Sequence, residues 1–332
     1  MRSIDVVVTF PKDCAVKLRA RVAAMVAFCA SIPAIASSST NWANVEPQAL
    51  IAVDDDVTRN ISTQGFFDGI RISEYRFSEN GYDWHLLRFS RIDDAEGPNW
   101  VVPHDDENAA FDAMIAAIKQ YGGVGIAVNS GTGSARRQSG WGLCGVRVAP
   151  VDSCDPNRNF DARAPLFTQA FVAQFQAGLP VVALHTNGHG FSGDGQGGRG
   201  DVTILDREAY GRGQIKARRY GRLAVNAPPE LDNADTLALA AFLVKNGGPS
   251  ENDNTCGLAM SQAGIHFWHE PVGVSDGSLS NYLAINQPDT AYMNAESRTE
   301  IDLAVAASRH AFMIATYLNE CRTSGNQPAP KP

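Results

Sequence analysis

The chain has 332 residues, 44% of them hydrophobic, with a formal net charge of −8 and a pI near 5.4. That is apolar residue enough for one large domain or two small ones, and too little cationic surface for a general nucleic-acid binder. The basic stretch Lys216-Ala217-Arg218-Arg219 is short and reads as a solvated loop or helix face.

At the start of the chain, Lys17, Arg19 and Arg21 precede an apolar run over residues 22–36. The run is too short and interrupted for a stable membrane span. It ends in Pro33-Ala34-Ile35-Ala36, the small-x-small pattern of a signal-peptidase site. Residues 1–36 therefore read as an export signal, placing the mature chain in the periplasm or outside the cell with no membrane span. Residues 37–48 read as a mobile leader, 49–322 as one domain and 323–332 as a disordered tail. Cys14 and Cys29 leave with the signal, and Cys144, Cys154, Cys256 and Cys321 remain. An even number in an exported chain predicts two disulfides, and four cysteines allow three pairings. Cys144–Cys154 with Cys256–Cys321 is preferred, since the first closes a short loop. The spacing fits no zinc-ribbon pattern.

Further along, strands are expected over 49–53, 70–77, 84–89 and 100–103. A helix follows over 107–121, with Ala110, Met114, Ala117 and Ile118 on one face and Gly122-Gly123 as its stop. Then come a strand over 124–128, a helix over 166–177, a buried strand over 181–184 and a second helix over 234–245. Short strands over 265–268 and 291–295 precede a long final helix over 299–318. This alternation predicts an α/β fold in a single domain, with a mixed, mostly parallel central sheet and helices on both faces. The glycine-rich stretch 188–201 is similar to a single copy of a calcium-binding repeat and reads as a surface loop.

Three features fall at the ends of expected strands, where open α/β sheets place their sites. In Pro103-His104-Asp105-Asp106-Glu107, a strand-to-helix turn can aim His104 and Glu107 at one point, and both are good zinc ligands. The same acidic residues would also suit the first turn of a helix, where the dipole favours negative charge. His185 leaves the buried strand and is placed to be a third ligand, or else a hydrogen-bonded core histidine. In Asp155-Pro156-Asn157-Arg158-Asn159-Phe160 an arginine between two asparagines suits bidentate capture of a carboxylate, and the segment would also serve as a helix cap. Among the other histidines, His269 with Glu270 is the rival metal or base candidate. His189 and His266 lack helical or same-face partners, and His85 and His310 read as structural.

Together these motifs resemble the zinc carboxypeptidase (carboxypeptidase A-like metallopeptidase) family, in its bacterial murein-peptide-amidase-like branch. The family pattern is H-x-x-E, then N-R-N-[FW], then a strand-ending histidine, then a glutamate on the last strand before the C-terminal helix. Here these are His104 with Glu107, Asn157-Arg158-Asn159-Phe160, His185, and Glu296 in Tyr292-Met293-Asn294-Ala295-Glu296. The order is the same, over residues 98–318, with shorter gaps than in digestive members. The resemblance implies a zinc peptidase domain over 49–322, with one Zn2+ held by His104, Glu107 and His185. It implies Glu296 as the proton acceptor, and Arg136 or Arg137 as the donor to the developing oxyanion. Asn157, Arg158 and Tyr282, the last following Gly277-Ser278-Leu279, would bind substrate. The implied activity is hydrolysis, by a monomer, of an amide bond next to a free carboxylate, as in cell-wall peptides. Two alternatives stay open: an N-acyl-amino-acid deacylase of the succinylglutamate desuccinylase and aspartoacylase kind, and a non-catalytic binding module on the same fold.

Overall fold

A computed structural model describes residues 41–130, 144, 155–160, 162–187, 218–219, 236–298 and 302–321. The export signal 1–36, Arg136, Arg137, Cys154, His189, the glycine-rich loop 188–201 and the tail 323–332 lie outside the described residues.

In chain order the elements are β1 (Ala43–Asn44), α1 (Pro47–Leu50), α2 (Asp55–Asn60), β2 (Ile70–Glu79), β3 (Tyr82–Arg91), β4 (Asn99–Val102), α3 (Asn108–Tyr121) and β5 (Val124–Asn129). A 3-10 turn (Pro156–Arg158) leads to α4 (Pro165–Val172), β6 (Val181–Asn187), β7 (Arg218–Arg219) and β8 (Thr236–Leu243). The chain continues through α5 (Glu251–Gln262), β9 (His266–Val272), α6 (Leu279–Asn286), β10 (Tyr292–Arg298) and α7 (Leu303–Glu320). The strands form one sheet in the order β1-β2-β3-β5-β4-β6-β10-β8-β9-β7.

The sheet is mixed, as expected, but not mostly parallel. Five of its pairings are antiparallel and four are parallel. The antiparallel majority begins with the β2–β3 hairpin, which turns at Asn80-Gly81 with both φ angles positive. Asn-Gly is the dipeptide that two-residue hairpin turns favour. The parallel block β5-β4-β6-β10 forms the centre, and its strands are buried on both faces.

Four expectations need correcting. Residues 49–53 are not a strand, since α1 and a turn occupy them. The second half of the expected leader is structured. Ala43 and Asn44 pair with β2, and the Trp42 ring lies 5.7 Å from Tyr75. The expected helix over 234–245 is strand β8, held between β10 and β9. Arg218 and Arg219 extend along β9 as an edge strand rather than forming a free loop or helix face.

Helices cover both faces. On one face α3, α5 and α7 bury Phe111, Met114, Met260, Met313 and Ile314 against the sheet. On the other, α4 and α6 bury Phe167, Phe171, Leu279 and Leu283. Cys256 of α5 is disulfide-bonded to Cys321 at the end of α7, as preferred from sequence. Cys144 is also disulfide-bonded. Among the described residues no helix is long and apolar enough to cross a membrane.

Register positions the site. β4 pairs with β6 only up to Val101↔Ala183, whereas β10 accompanies β6 to Arg298↔Asn187. His185 therefore emerges past the end of β4, beside the turn by which the chain leaves that strand.

Candidate metal centre

That turn carries His104 and Glu107. The Glu107 N–H reaches back to the His104 carbonyl at 3.3 Å, and Glu107 becomes the N-cap of α3. A capping carboxylate normally accepts a backbone N–H of the first turn. The Glu107 side chain makes no such bond, so it remains available to the histidines. Asp105, also buried, is spent elsewhere: it accepts from the Ser130 N–H at 2.9 Å and ties the turn to the end of β5.

The three predicted ligands converge. Their ligand-capable atoms all lie within 4.8 Å of one another, and this is the one such group among the described residues. His104 Nδ1 is 3.1 Å from Glu107 Oε1, His185 Nδ1 is 3.2 Å from Glu107 Oε2, and the two Nδ1 atoms are 3.2 Å apart. Tetrahedral zinc with bonds of about 2.0–2.1 Å holds its ligand atoms about 3.3 Å apart. The two imidazole nitrogens are close to that separation, and each faces a different oxygen of the Glu107 carboxylate. Among the described residues, His185 Nε2 is buried and has no hydrogen-bond partner. Two imidazoles and a buried carboxylate fit a divalent cation.

Electrostatics point the same way. Burial disfavours charge on His104, but the carboxylates of Glu107 and Asp155 outweigh it and hold the metal-free imidazole pKa up to about 10. Burial would raise the Glu107 carboxyl, but His104 and His185 hold it well below the usual range. The cluster thus keeps an anion and a cation together in a buried place, a role a metal ion would take over.

Asp155 is the residue that sequence reasoning missed. Its Oδ1 lies 2.8 Å from His104 Nε2, and it also caps the 3-10 turn by accepting from the Asn157 N–H at 2.8 Å. A carboxylate behind a ligating histidine fixes its tautomer and ring orientation. The signal was present in the Asp-Pro of the Arg158 motif, but the pairing spans 51 positions of sequence.

Glu296 faces its neighbour His185 across the parallel β6–β10 pairing. Burial raises its pKa, and Asn294 Nδ2 donates to its Oε1 at 2.9 Å. The Arg158 guanidinium lies 3.7 Å from both Asp155 and Asp276. Asn157 is engaged differently: its Oδ1 accepts from the Leu279 N–H at 3.0 Å, joining this segment to the start of α6. Gly277 has φ +88°, and a Cβ there would meet the Arg158 carbonyl oxygen at 2.4 Å, so only glycine allows this contact. Tyr282 on α6 is half-buried and packs with the second apolar cluster. His310, read as structural, is fully buried on α7 and its Nε2 lies 2.8 Å from the His185 carbonyl oxygen. The rival His269 is buried edge-on to Phe267, outside the converging group.

No family model matches the sequence, and no curated protein matches it. Solved structures do. A candidate metallopeptidase from Shewanella denitrificans aligns at 12% identity over 80% of this chain and 88% of that chain, with a TM-score of 0.38. A metallo-carboxypeptidase from Burkholderia cenocepacia aligns at 12% identity over 77% and 67%, with a TM-score of 0.41. An aspartoacylase family protein from Mesorhizobium loti aligns at 10% identity over 77% and 69%, with a TM-score of 0.38. What the site can do is read from this chain's own side chains.

Proposed function

We propose that this chain is a metal-dependent hydrolase of the zinc carboxypeptidase type, cutting an amide bond next to a free carboxylate. The convergence of His104, Glu107 and His185, whose ligand-capable atoms lie within 4.8 Å of one another, carries the proposal. These three residues would hold zinc, which when bound supplies Lewis-acid stabilisation of negative charge developing on oxygen. Glu296 is buried, and that burial raises its pKa, the direction that makes a carboxylate a better proton acceptor. It would take a proton from the attacking water and hand it to the departing amine. Arg158, whose positive charge is reinforced by the surrounding carboxylates, would hold the substrate carboxylate. Arg136 or Arg137 keeps the proposed role of oxyanion donor.

Export to the periplasm or outside the cell is part of the proposal, supported by the basic-then-apolar N-terminus and by the Cys256–Cys321 disulfide. Cell-wall peptides are the proposed natural source of substrate.

The test is to load purified protein with zinc, measure bound metal, and assay N-blocked dipeptides, N-acyl amino acids and cell-wall digests by mass spectrometry. About one equivalent of zinc and release of a carboxylate-bearing residue from peptides are expected. Cleavage of N-acyl amino acids alone would make the protein a deacylase. Tight metal binding with no hydrolysis would make it a binding module.

A further inference from the structure

Helix α7 presses a polar side chain against the two strands that carry the proposed site. His310 is fully buried, with Nε2 2.8 Å from the His185 carbonyl oxygen and Nδ1 3.4 Å from Ser297 Oγ. A carbonyl oxygen only accepts, so Nε2 carries the hydrogen and donates it. Ser297 follows Glu296 in β10 and pairs with Thr186, the residue after His185. One imidazole therefore touches both strands at the level of the proposed ligand and the proposed proton acceptor.

The two-residue alternation of strands gives this contact a direction. Val181 and Ala183 of β6 and Tyr292 of β10 pack with the apolar cluster of α4 and α6, and His185 and Glu296 continue those rows. Met293 and Ala295 pack with the cluster of α3, α5 and α7, and Ser297 continues that row. His310 thus holds the strands from the face opposite the reacting side chains. At this level β4 has already ended, at Val101↔Ala183, so β6 is paired only with β10 among the described strands. Helix α7 is itself fixed at both ends. Asp302 accepts the Ala304 and Val305 N–H groups at 2.9 and 3.3 Å, and Cys321 is disulfide-bonded to Cys256. An apolar side chain could fill this place in the core, whereas a buried imidazole is tolerated only when it is hydrogen-bonded. Here its bonding reaches the two strands of the site.

We propose that His310 is a positioning residue for the metal centre: it fixes the His185 main chain and, through Ser297, the strand position of Glu296. This rests on the hydrolase reading. Metal affinity depends on where the His185 ring is held, and groups outside the ligand set that orient ligands are worth about 10- to 100-fold in affinity or activity. The rate depends on where Glu296 stands relative to the ion, and a misplacement of about 1 Å can cost on the order of a hundredfold.

His310→Leu removes the donor and keeps an apolar side chain in its place, whereas His310→Gln keeps a side-chain N–H. Zinc affinity is read by competition with a chromophoric chelator, and kcat and KM on N-blocked dipeptides, under conditions where circular dichroism shows each protein folded. His310→Leu is expected to bind zinc about tenfold more weakly and to lose about tenfold in kcat, with KM within about twofold of native. His310→Gln is expected to recover zinc affinity and kcat to within about threefold of native, because the donor is restored. An unchanged zinc affinity in folded His310→Leu, or a His310→Gln protein as impaired as His310→Leu, overturns the inference and leaves His310 a core residue. If His310→Leu does not fold, Ser297→Ala decides by the same affinity measurement: a loss of at least about threefold is expected, and no change overturns the inference. If the native protein binds zinc but cuts no peptide, the hydrolase reading fails, while a loss of affinity in His310→Leu restored by His310→Gln upholds the positioning role.

Discussion

Glu296 and His185 are direct neighbours in the parallel pairing of β10 with β6, so the proposed proton acceptor and a proposed metal ligand are placed by one strand register. A one-residue slip of β10 would turn Glu296 to the face away from His185. Their roles nevertheless separate on substitution. Glu296→Gln keeps the shape of the side chain and leaves the three ligands in place. It is expected to lower kcat by about a hundred- to ten-thousand-fold, with metal content by elemental analysis unchanged at one equivalent. Loss of the metal in this variant would assign Glu296 to binding instead.

Asp155 touches no proposed substrate atom, but it holds His104 Nε2 at 2.8 Å. Replacing it with asparagine keeps the size and removes the charge that orients the imidazole. Metal affinity is expected to fall about 10- to 100-fold, read by competition with a chromophoric chelator, while the circular dichroism spectrum stays native. An unchanged affinity would reduce Asp155 to the cap of its 3-10 turn.

Removing the metal should cost stability as well as activity. An ion that binds the folded site and not the unfolded chain would, with zinc at a thousandfold excess over Kd, add about 4 kcal/mol. Chelator-treated protein is expected to melt lower and to regain its Tm on zinc addition. His185→Ala is expected to lose that zinc-dependent shift, since it leaves two of the three ligands.

The convergence of the candidate site was legible in the sequence because His104 and His185 follow strands at predictable points. The Val-Val-Ala-Leu run before His185 and the Trp-Val-Val run before Pro103-His104 are buried strands in the fold. Less legible was whatever depends on distant partners. Thr236-Leu-Ala-Leu-Ala-Ala-Phe-Leu243 has high helix propensity, yet it is strand β8 because β10 and β9 flank it, and such overrides are common. Helix α5 is weakly patterned, with two acids and two asparagines near its start. Its signal was the capping box of Ser250 with Asp253 rather than any periodicity. The pairing of Asp155 with His104 spans 51 positions of sequence, which no local pattern encodes.

The Cys256–Cys321 disulfide closes a separation of 65 residues and holds α5 to the end of α7. On the chain-entropy account a loop of this length stabilises by about 4 kcal/mol. The paired substitution of both cysteines by alanine is expected to lower the urea midpoint accordingly, and it is a cleaner test than reduction, which would also break the disulfide of Cys144. The readout must be made with zinc held constant, because α7 also carries His310 against the His185 carbonyl.

His85 offers a pH test away from the metal. It lies 8% exposed on β3, with Nε2 2.8 Å from Glu74 Oε2. Burial first, and the Arg76 charge second, lower its pKa below the ordinary value of about 6.5 despite the favourable Glu74 contact. A lowered pKa means the folded state takes up this proton later than the unfolded chain does. The contribution is therefore fully present above pH about 6.5 and is lost as pH falls through the lower, folded value. Other groups also titrate in this range, so the informative quantity is a difference between proteins. Urea midpoints at pH 7.5 and pH 5 are expected to lie closer together in His85→Gln than in the native chain. A wider gap in the variant would mean that Glu74 outweighs burial and that the folded His85 pKa is raised instead.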